Sequence, residues 1–133
     1  MNQGKYIFSQ VMELVSHKVF NACVKRYKGD YKTKQFSCWK QFLCMAFGQL
    51  THRESLSDTI LCLRANAGKL YHLGIGQAIA KSTLSNANES RDCRIFSDIA
   101  MVLIEEAKSL YLNDSDLEVD LKNNVFAIDA TVI

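Results

Sequence analysis

Apolar residues recur at helical spacing along most of the chain and alternate only near its end. A first helix is indicated by four apolar positions: Phe8, Val11, Met12 and Val15. Ser16 can cap a second helix that ends at Gly29, and Ser37 can cap a third helix over residues 38–50. Because this third helix carries few polar side chains, we expect it to lie at the centre of the core.

Three more helices are predicted before the period changes. Thr51 and Glu54 have the spacing of a capping box, which predicts a fourth helix that runs to Ala65. Ser82 can cap a short polar helix that ends near Asn88. The longest helix is predicted over residues 91–112 and has an apolar stripe at six positions: Ile95, Ile99, Val102, Leu103, Ala107 and Leu110.

The period changes to two near the end of the chain. Apolar and charged residues alternate over residues 117–122, and two asparagines at 123–124 can supply a tight turn before a β-prone run over residues 125–133. We therefore expect a mainly α chain, with a multi-helix domain over residues 1–112 and a C-terminal β-hairpin over residues 113–133. Because an isolated hairpin with an uncovered apolar strand is marginal, we expect a fragment of a longer protein.

Composition and charge narrow the range of functions. The 133 residues are 48% hydrophobic, which suits one soluble domain. The apolar stretches are too short to span a membrane and no signal peptide is recognisable, so we expect a cytoplasmic protein without a membrane partner. The first 53 residues carry nine basic and two acidic side chains, a net charge of +7, whereas the remainder carries −5. This asymmetry favours a polyanionic partner for the front of the chain.

Two groups of polar residues are candidates for contact with double-stranded DNA. The first is a basic cluster whose flexible cations can reach phosphates. Its members are Lys25, Arg26, Lys28, Lys32 and Lys34. The second group can contact base edges, and it consists of Asn86, Asn88, Arg91 and Arg94. An ordinary solvated surface is the alternative for the first group, and a polar helix cap with its loop is the alternative for the second.

The third and fourth predicted helices have the proportions of a helix-turn-helix, because only a short turn separates them. Arg53 in this turn is a further candidate for DNA contact. Short turns between helices are also common in proteins that do not bind DNA. The five cysteines and three histidines lack metal-ligand spacing, so buried reduced thiols and surface histidines are expected instead.

Asp129 interrupts the apolar run near the end of the chain, between Ile128 and Ala130. A carboxylate that is removed from water is costly unless it is paired, hydrogen-bonded or bound to a cation. A metal ligand presented by a rigid sheet fits this pattern, and so does an exposed aspartate on a half-buried edge strand.

The chain resembles the insertion-sequence transposases of the family named for insertion sequence four, in the branch common in Bacteroides-type bacteria. The resemblance extends over essentially the whole chain. Its most specific segments are FSCWKQFLCMAFGQLTHRESLSD and LSNANESRDCRIFSD, with YHLGIG between them and VFAIDATVI at the end.

This resemblance implies a DDE-class transposase with a ribonuclease-H-like catalytic domain that begins at the predicted hairpin. Asp129 matches the first aspartate of the triad, which would make it catalytic and a ligand of Mg²⁺ in two-metal phosphoryl transfer. The other two carboxylates would follow Ile133, so we expect this chain to bind Mg²⁺ poorly and to catalyse nothing. The helical part would recognise the terminal inverted repeats, with a homodimer as a further expectation.

A different functional class also fits the sequence. A helical protein-interaction or dimerisation module could inhibit transposition by forming inactive mixed complexes with the intact enzyme. Binding to duplex DNA that weakens with salt would separate the two functions, because a purely protein-binding module should show little of it.

Overall fold

The computed structural model describes residues 6–111, apart from the side chain of Tyr111, and this part of the chain is helical without a strand. Its α-helices are α1 (Ile7–Met12), α2 (His17–Arg26), α3 (Cys38–Leu50), α4 (Leu56–Ala65), α5 (Lys81–Ser90) and α6 (Arg94–Tyr111), with a short 3₁₀ helix at Ala67–Lys69. The predicted mainly α class is confirmed for these residues. The predicted hairpin, including Asp129, lies outside them. Within 6–111, no helix combines the length and the apolar character needed to cross a membrane.

α3 lies at the centre of the core, as its apolar sequence predicts. One buried cluster joins α3 to α1, α4, α5 and the segment 70–79, with Leu43 and Phe47 as α3 members. The second cluster joins α3 to α2 and α6 and contains Cys38, Phe20 and Ile95. Burial of large apolar side chains stabilises the fold by about 1.5–3 kcal/mol each. Since α3 contributes to both clusters, it fixes α2 and α6 on one side and α4 and α5 on the other.

α2 ends in a Schellman motif built on a lysine rather than on a glycine. Lys28 has a positive φ of 52°, and the N–H of Gly29 donates to the carbonyl of Val24 at 2.9 Å. α3 ends in the same way, with His52 at φ 54°. After the sharp turn that ends α2, Gly29 lies against Ile95 in the first turn of α6.

The start of α4 corrects the predicted capping box of Thr51 and Glu54. Thr51 belongs to the end of α3, where its hydroxyl donates to the carbonyl of Phe47 at 2.6 Å. Ser55 caps α4 instead and accepts from the N–H of Asp58 at 3.1 Å. The predicted end of this helix at residue 65 is confirmed.

The last two helices also begin at other residues than predicted. α5 begins at Lys81, so Ser82 lies inside the helix and does not cap it. α6 begins at Arg94 rather than at Arg91, because the Asp92 carboxylate accepts the N–H of Arg94 at 2.9 Å. Arg91 itself is extended, with φ −84° and ψ 145°.

The apolar stripe of α6 is confirmed in its first half only. Ile95 and Ile99 are buried, whereas Leu110 is 75% exposed. Met101 and Ile104 on the same helix are also about half exposed. The second half of α6 therefore presents apolar surface beyond the core that residues 6–111 form.

The first prediction concerns Gly29, where the backbone passes close to side chains of the core. A Cβ atom here would lie 2.5 Å from the Cδ1 atom of Ile95 and 2.7 Å from the Sγ atom of Cys38. Gly29→Ala should therefore lower the free energy of unfolding by about 1–3 kcal/mol, the usual cost of overpacking. Gly68→Ala is the matched control, because nothing lies within 4 Å of the added Cβ. Urea unfolding of the two variants gives the comparison, and equal stabilities would contradict the assigned contact.

Candidate nucleic-acid interface

A cleft of about 510 Å³ lies between the segment that follows α2 and the outer face of α5. The first wall is formed by Tyr27, Lys28, Gly29, Tyr31, Thr33, Lys34 and Phe36, and the second by Thr83, Asn86, Ala87 and Ser90. Arg91 and Asp92 close its end. Two members of each group that the sequence predicts for DNA contact therefore line one cleft: Lys28 and Lys34 on the first wall, and Asn86 and Arg91 about 50 residues later in the chain. The other members, Lys25, Arg26, Lys32, Asn88 and Arg94, do not line it.

The lysines of the basic cluster are exposed and carry uncompensated charge. Lys25, Lys28, Lys32 and Lys34 form no salt bridge with any described residue. The ammonium nitrogen of Lys32 lies 5.3 Å from the ring centroid of Tyr31. An exposed lysine ammonium stays hydrated, and its flexible stem lets it move. These side chains can therefore contact phosphates.

The exposed arginines of the two groups, in contrast, are engaged with carboxylates. Arg26 donates to Asp98 at 2.6 Å, and its hydrogen bonds to Tyr27 and Asp98 raise the pKa of its guanidinium. Arg94 donates to both oxygens of Asp92, at 2.6 Å for the closest pair. These hydrogen bonds from Arg94 lower the pKa of Asp92 to about 2, so the carboxylate keeps its charge further into the acidic range than an ordinary aspartate does. The structure therefore places Arg26 and Arg94 in local ion pairs.

Arg91 is largely enclosed, with 10% of its side chain exposed. One terminal nitrogen donates to Gln41 Oε1 at 2.8 Å, and the other donates to the carbonyl oxygen of Phe36. The second nitrogen also lies 3.9 Å from Asp30 Oδ1. The guanidinium therefore ties the segment of the first wall to α3 and to the end of α5. In this arrangement Arg91 positions the cleft instead of reaching out to a base.

Asn88 continues this polar network. Its Oδ1 atom accepts from Gln41 Nε2 at 2.7 Å, and its amide nitrogen lies 3.3 Å from the sulfur of Met45. Asn86 differs, because its side chain is exposed at the cleft and has no hydrogen-bond partner among the described residues. Of the two asparagines, only Asn86 is placed to contact a ligand in the cleft.

Arg53 lies away from this cleft, in the turn between α3 and α4. Its Nε atom donates to the carbonyl of Thr51 at 2.9 Å, and its guanidinium lies 3.7 Å from Asp58. The exposed side of α4 presents Asp58 in its first turn and Leu61, which is 67% exposed. Because Arg53 is paired with Asp58, its charge is less available to a phosphate than that of the exposed lysines of the cleft.

Two contributors to the cleft are missed by the sequence patterns. Tyr31 is 69% exposed and lies within the run of lysines, and such interleaving of an aromatic side chain with cations is a readable signal for nucleic acid. Gln41 is 2% exposed within an apolar helix, and a buried amide of this kind requires partners. The identity of those partners, Asn88 and Arg91, is visible only in the fold.

Cysteine and histidine play no part in the cleft wall. Burial raises the pKa of the Cys38 and Cys44 thiols to about 12, which keeps them protonated. Cys23, Cys38 and Cys44 are buried free thiols, as predicted, but Cys62 is half-buried and Cys93 is exposed. Between residues 6 and 111, no group of three His, Cys, Asp or Glu side chains is arranged to hold a metal ion. The proposed metal ligand Asp129 is outside that range.

Residues 3–76 match the model of a protein family described as "Domain of unknown function (DUF4372)". The matched segment contains α1 to α4 and the whole basic wall of the cleft. No curated protein and no solved structure matches the chain.

The second prediction concerns the contribution of Arg91 to the stability of the fold, and it does not depend on any ligand. Arg91→Lys keeps the charge but cannot reproduce the planar fork that reaches Gln41, Phe36 and Asp30. We expect the free energy of unfolding to fall by about 1–3 kcal/mol, because buried acceptors lose their donors. Arg94→Lys is the matched control and should change stability far less, since its pair with Asp92 is solvent-exposed. Chemical denaturation measures both, and an equal loss in the two variants would refute the positioning role of Arg91.

Proposed function

Because this chain belongs to the family described as "Domain of unknown function (DUF4372)", a domain common in transposase-like proteins, we propose that it is the DNA-binding region of a transposase. Its helical part recognises the terminal inverted repeats of an insertion sequence for cut-and-join transposition. The finer assignment to the DDE class, and to the family named for insertion sequence four, rests on the sequence resemblance.

The observation that carries this proposal is the composition of the cleft. Lys28 and Lys34 line one wall without a salt bridge, and Asn86 lines the other wall without a hydrogen-bond partner among the described residues. The nearby carboxylates of Asp30 and Asp92 are matched by arginines. Cations without a salt bridge to residues 6–111, beside an amide without a hydrogen-bond partner in that range, suit contact with a phosphate and with a base edge.

The third prediction tests the lysines of the cleft. Lys28→Glu combined with Lys34→Glu should weaken binding to duplex DNA of any sequence, because two phosphate contacts are lost and like charges are introduced. The slope of log affinity against log salt should fall in magnitude by about two. Fluorescence anisotropy with a labelled duplex, titrated at several salt concentrations, measures both quantities.

The matched control is Lys69→Glu combined with Lys108→Glu. Both lysines are exposed and neither lines the cleft, and the formal net charge changes by the same amount. A general charge effect would weaken binding equally in the two double variants, which would contradict the cleft as contact surface. Salt-independent DNA binding by the parent, or none, would instead favour the interaction module, which the exposed Met101 and Leu110 of α6 would suit.

The fourth prediction concerns the catalytic part of the proposed transposase. Asp129 lies outside the described residues, so its role as first carboxylate of the triad and Mg²⁺ ligand rests on the resemblance. In a protein that carries the complete triad, Asp129→Asn should abolish strand cleavage and joining, because it removes one ligand charge from the two-metal site. Binding to the transposon end should stay nearly intact. Asp120→Asn, the same chemical change at the aspartate of the segment 117–122, is the control and should leave cleavage unchanged. Cleavage of a labelled transposon end at the parental rate by Asp129→Asn would disprove the assignment.

A further inference from the structure

The cleft between the basic segment and α5 is concave, and its shape limits what it can hold. Its volume of about 510 Å³ lies within the range of roughly 300–1,000 Å³ that is usual for pockets that enclose small ligands. The major groove of duplex DNA, about 12 Å wide, is read by a helix or ribbon that protrudes into it. A duplex can therefore lie on the rim of this cleft, and the cleft itself has room for a nucleotide unit.

One wall of the cleft offers an aromatic surface of the kind on which bases stack. The Tyr31 side chain is 69% exposed, so most of its ring contacts no described residue. Tyr27 and Phe36 also line this wall, but the guanidinium carbons of Arg94 and Arg91 lie 4.8 Å and 5.5 Å from the centroids of their rings. The ammonium nitrogen of Lys32 also lies 5.3 Å from the ring centroid of Tyr31, but Tyr31 is exposed whereas Tyr27 and Phe36 are half-buried. Tyr31 is therefore the most accessible ring of this wall.

The surroundings of Tyr31 supply the other groups that a nucleotide needs. The exposed ammonium groups of Lys28 and Lys34 line the same wall and can neutralise a phosphate. Across the cleft, the free amide of Asn86 can both donate to and accept from a base edge. An exposed ring beside cations and an amide is the arrangement by which proteins hold unpaired nucleotides.

We infer that this cleft binds one unpaired nucleotide of the DNA that the rim holds. The base stacks on Tyr31 and its edge faces Asn86, while its phosphate lies against Lys28 and Lys34. This inference rests on the proposed DNA-binding function and names the part of the DNA that occupies the cleft. An extrahelical nucleotide in a duplex and a nucleotide of a single-stranded end share this chemistry.

Three fluorescein-labelled probes test the inference with the 133-residue chain. They are a fully paired duplex, the same duplex with one extrahelical thymine, and single-stranded oligothymidine. The parent should bind the extrahelical probe at least about fivefold more tightly than the paired duplex, the lower range of one base stacked on an aromatic ring. Oligothymidine bound with the same dependence on Tyr31 would identify a strand end as a second source, and weak binding of it would restrict the source to the duplex.

Variants of Tyr31 test whether this residue causes the preference for the extrahelical probe. Tyr31→Ala should remove the preference for the extrahelical probe while affinity for the paired duplex is kept, and Tyr31→Phe should retain the preference because it keeps the ring. Tyr71→Ala is the matched control, since Tyr71 is 79% exposed and lies outside the cleft. Equal affinity of the parent for the paired and extrahelical probes, or a preference that survives Tyr31→Ala, overturns this inference alone. Absence of binding to every probe overturns it together with the proposed function.

Discussion

The enclosed guanidinium of Arg91 links three parts of the chain by polar contacts, in addition to the apolar contacts of the core. It donates to Phe36 in the segment after α2 and to Gln41 in α3, and it directly follows α5. A charge that is taken from water is tolerated only where its donors find acceptors, and a guanidinium presents five donors in a fixed fork. Separation of the two cleft walls would take the Phe36 carbonyl and the Asp30 carboxylate away from the enclosed guanidinium of Arg91, and this cost favours the observed spacing.

The same physical chemistry divides the basic residues into two sets. Arg26, Arg91 and Arg94 are engaged with Asp98, Asp30 and Asp92 respectively. The lysines of the basic cluster remain unpaired within residues 6–111. A planar, weakly hydrated guanidinium suits fixed partners, whereas a strongly hydrated ammonium on a flexible stem suits a mobile polyanion. The arginines thus neutralise Asp30 and Asp92 at the cleft. These two carboxylates therefore offset little of the positive electrostatic potential of the lysines.

Local sequence patterns were sufficient to predict the bounds of a helix where only one residue was suitable as its cap. The bounds of α3 could be predicted, because a run of apolar residues follows a serine that does cap it. The start of α4 could not, since Thr51 and Ser55 are both suitable caps and the hydroxyl of Thr51 is satisfied by α3. The basic cluster could be recognised from composition. The roles of Asn88 and Arg91 could not, because Gln41, their common partner, lies 47 and 50 residues away in the chain.

The basic segment combines a fixed backbone with free side-chain ends, and this combination has a consequence for binding. Lys28 sits in the left-handed turn that ends α2, Gly29 packs against Ile95, and Asp30 accepts the N–H of Cys38 at 2.7 Å. A segment that is already ordered loses little backbone entropy when a ligand arrives, so more of the contact energy appears as affinity. The lysine stems beyond this backbone still adapt to the phosphates they meet. Under the proposed function, a polyanion would therefore be held at a defined place on the protein, beside the exposed amide of Asn86.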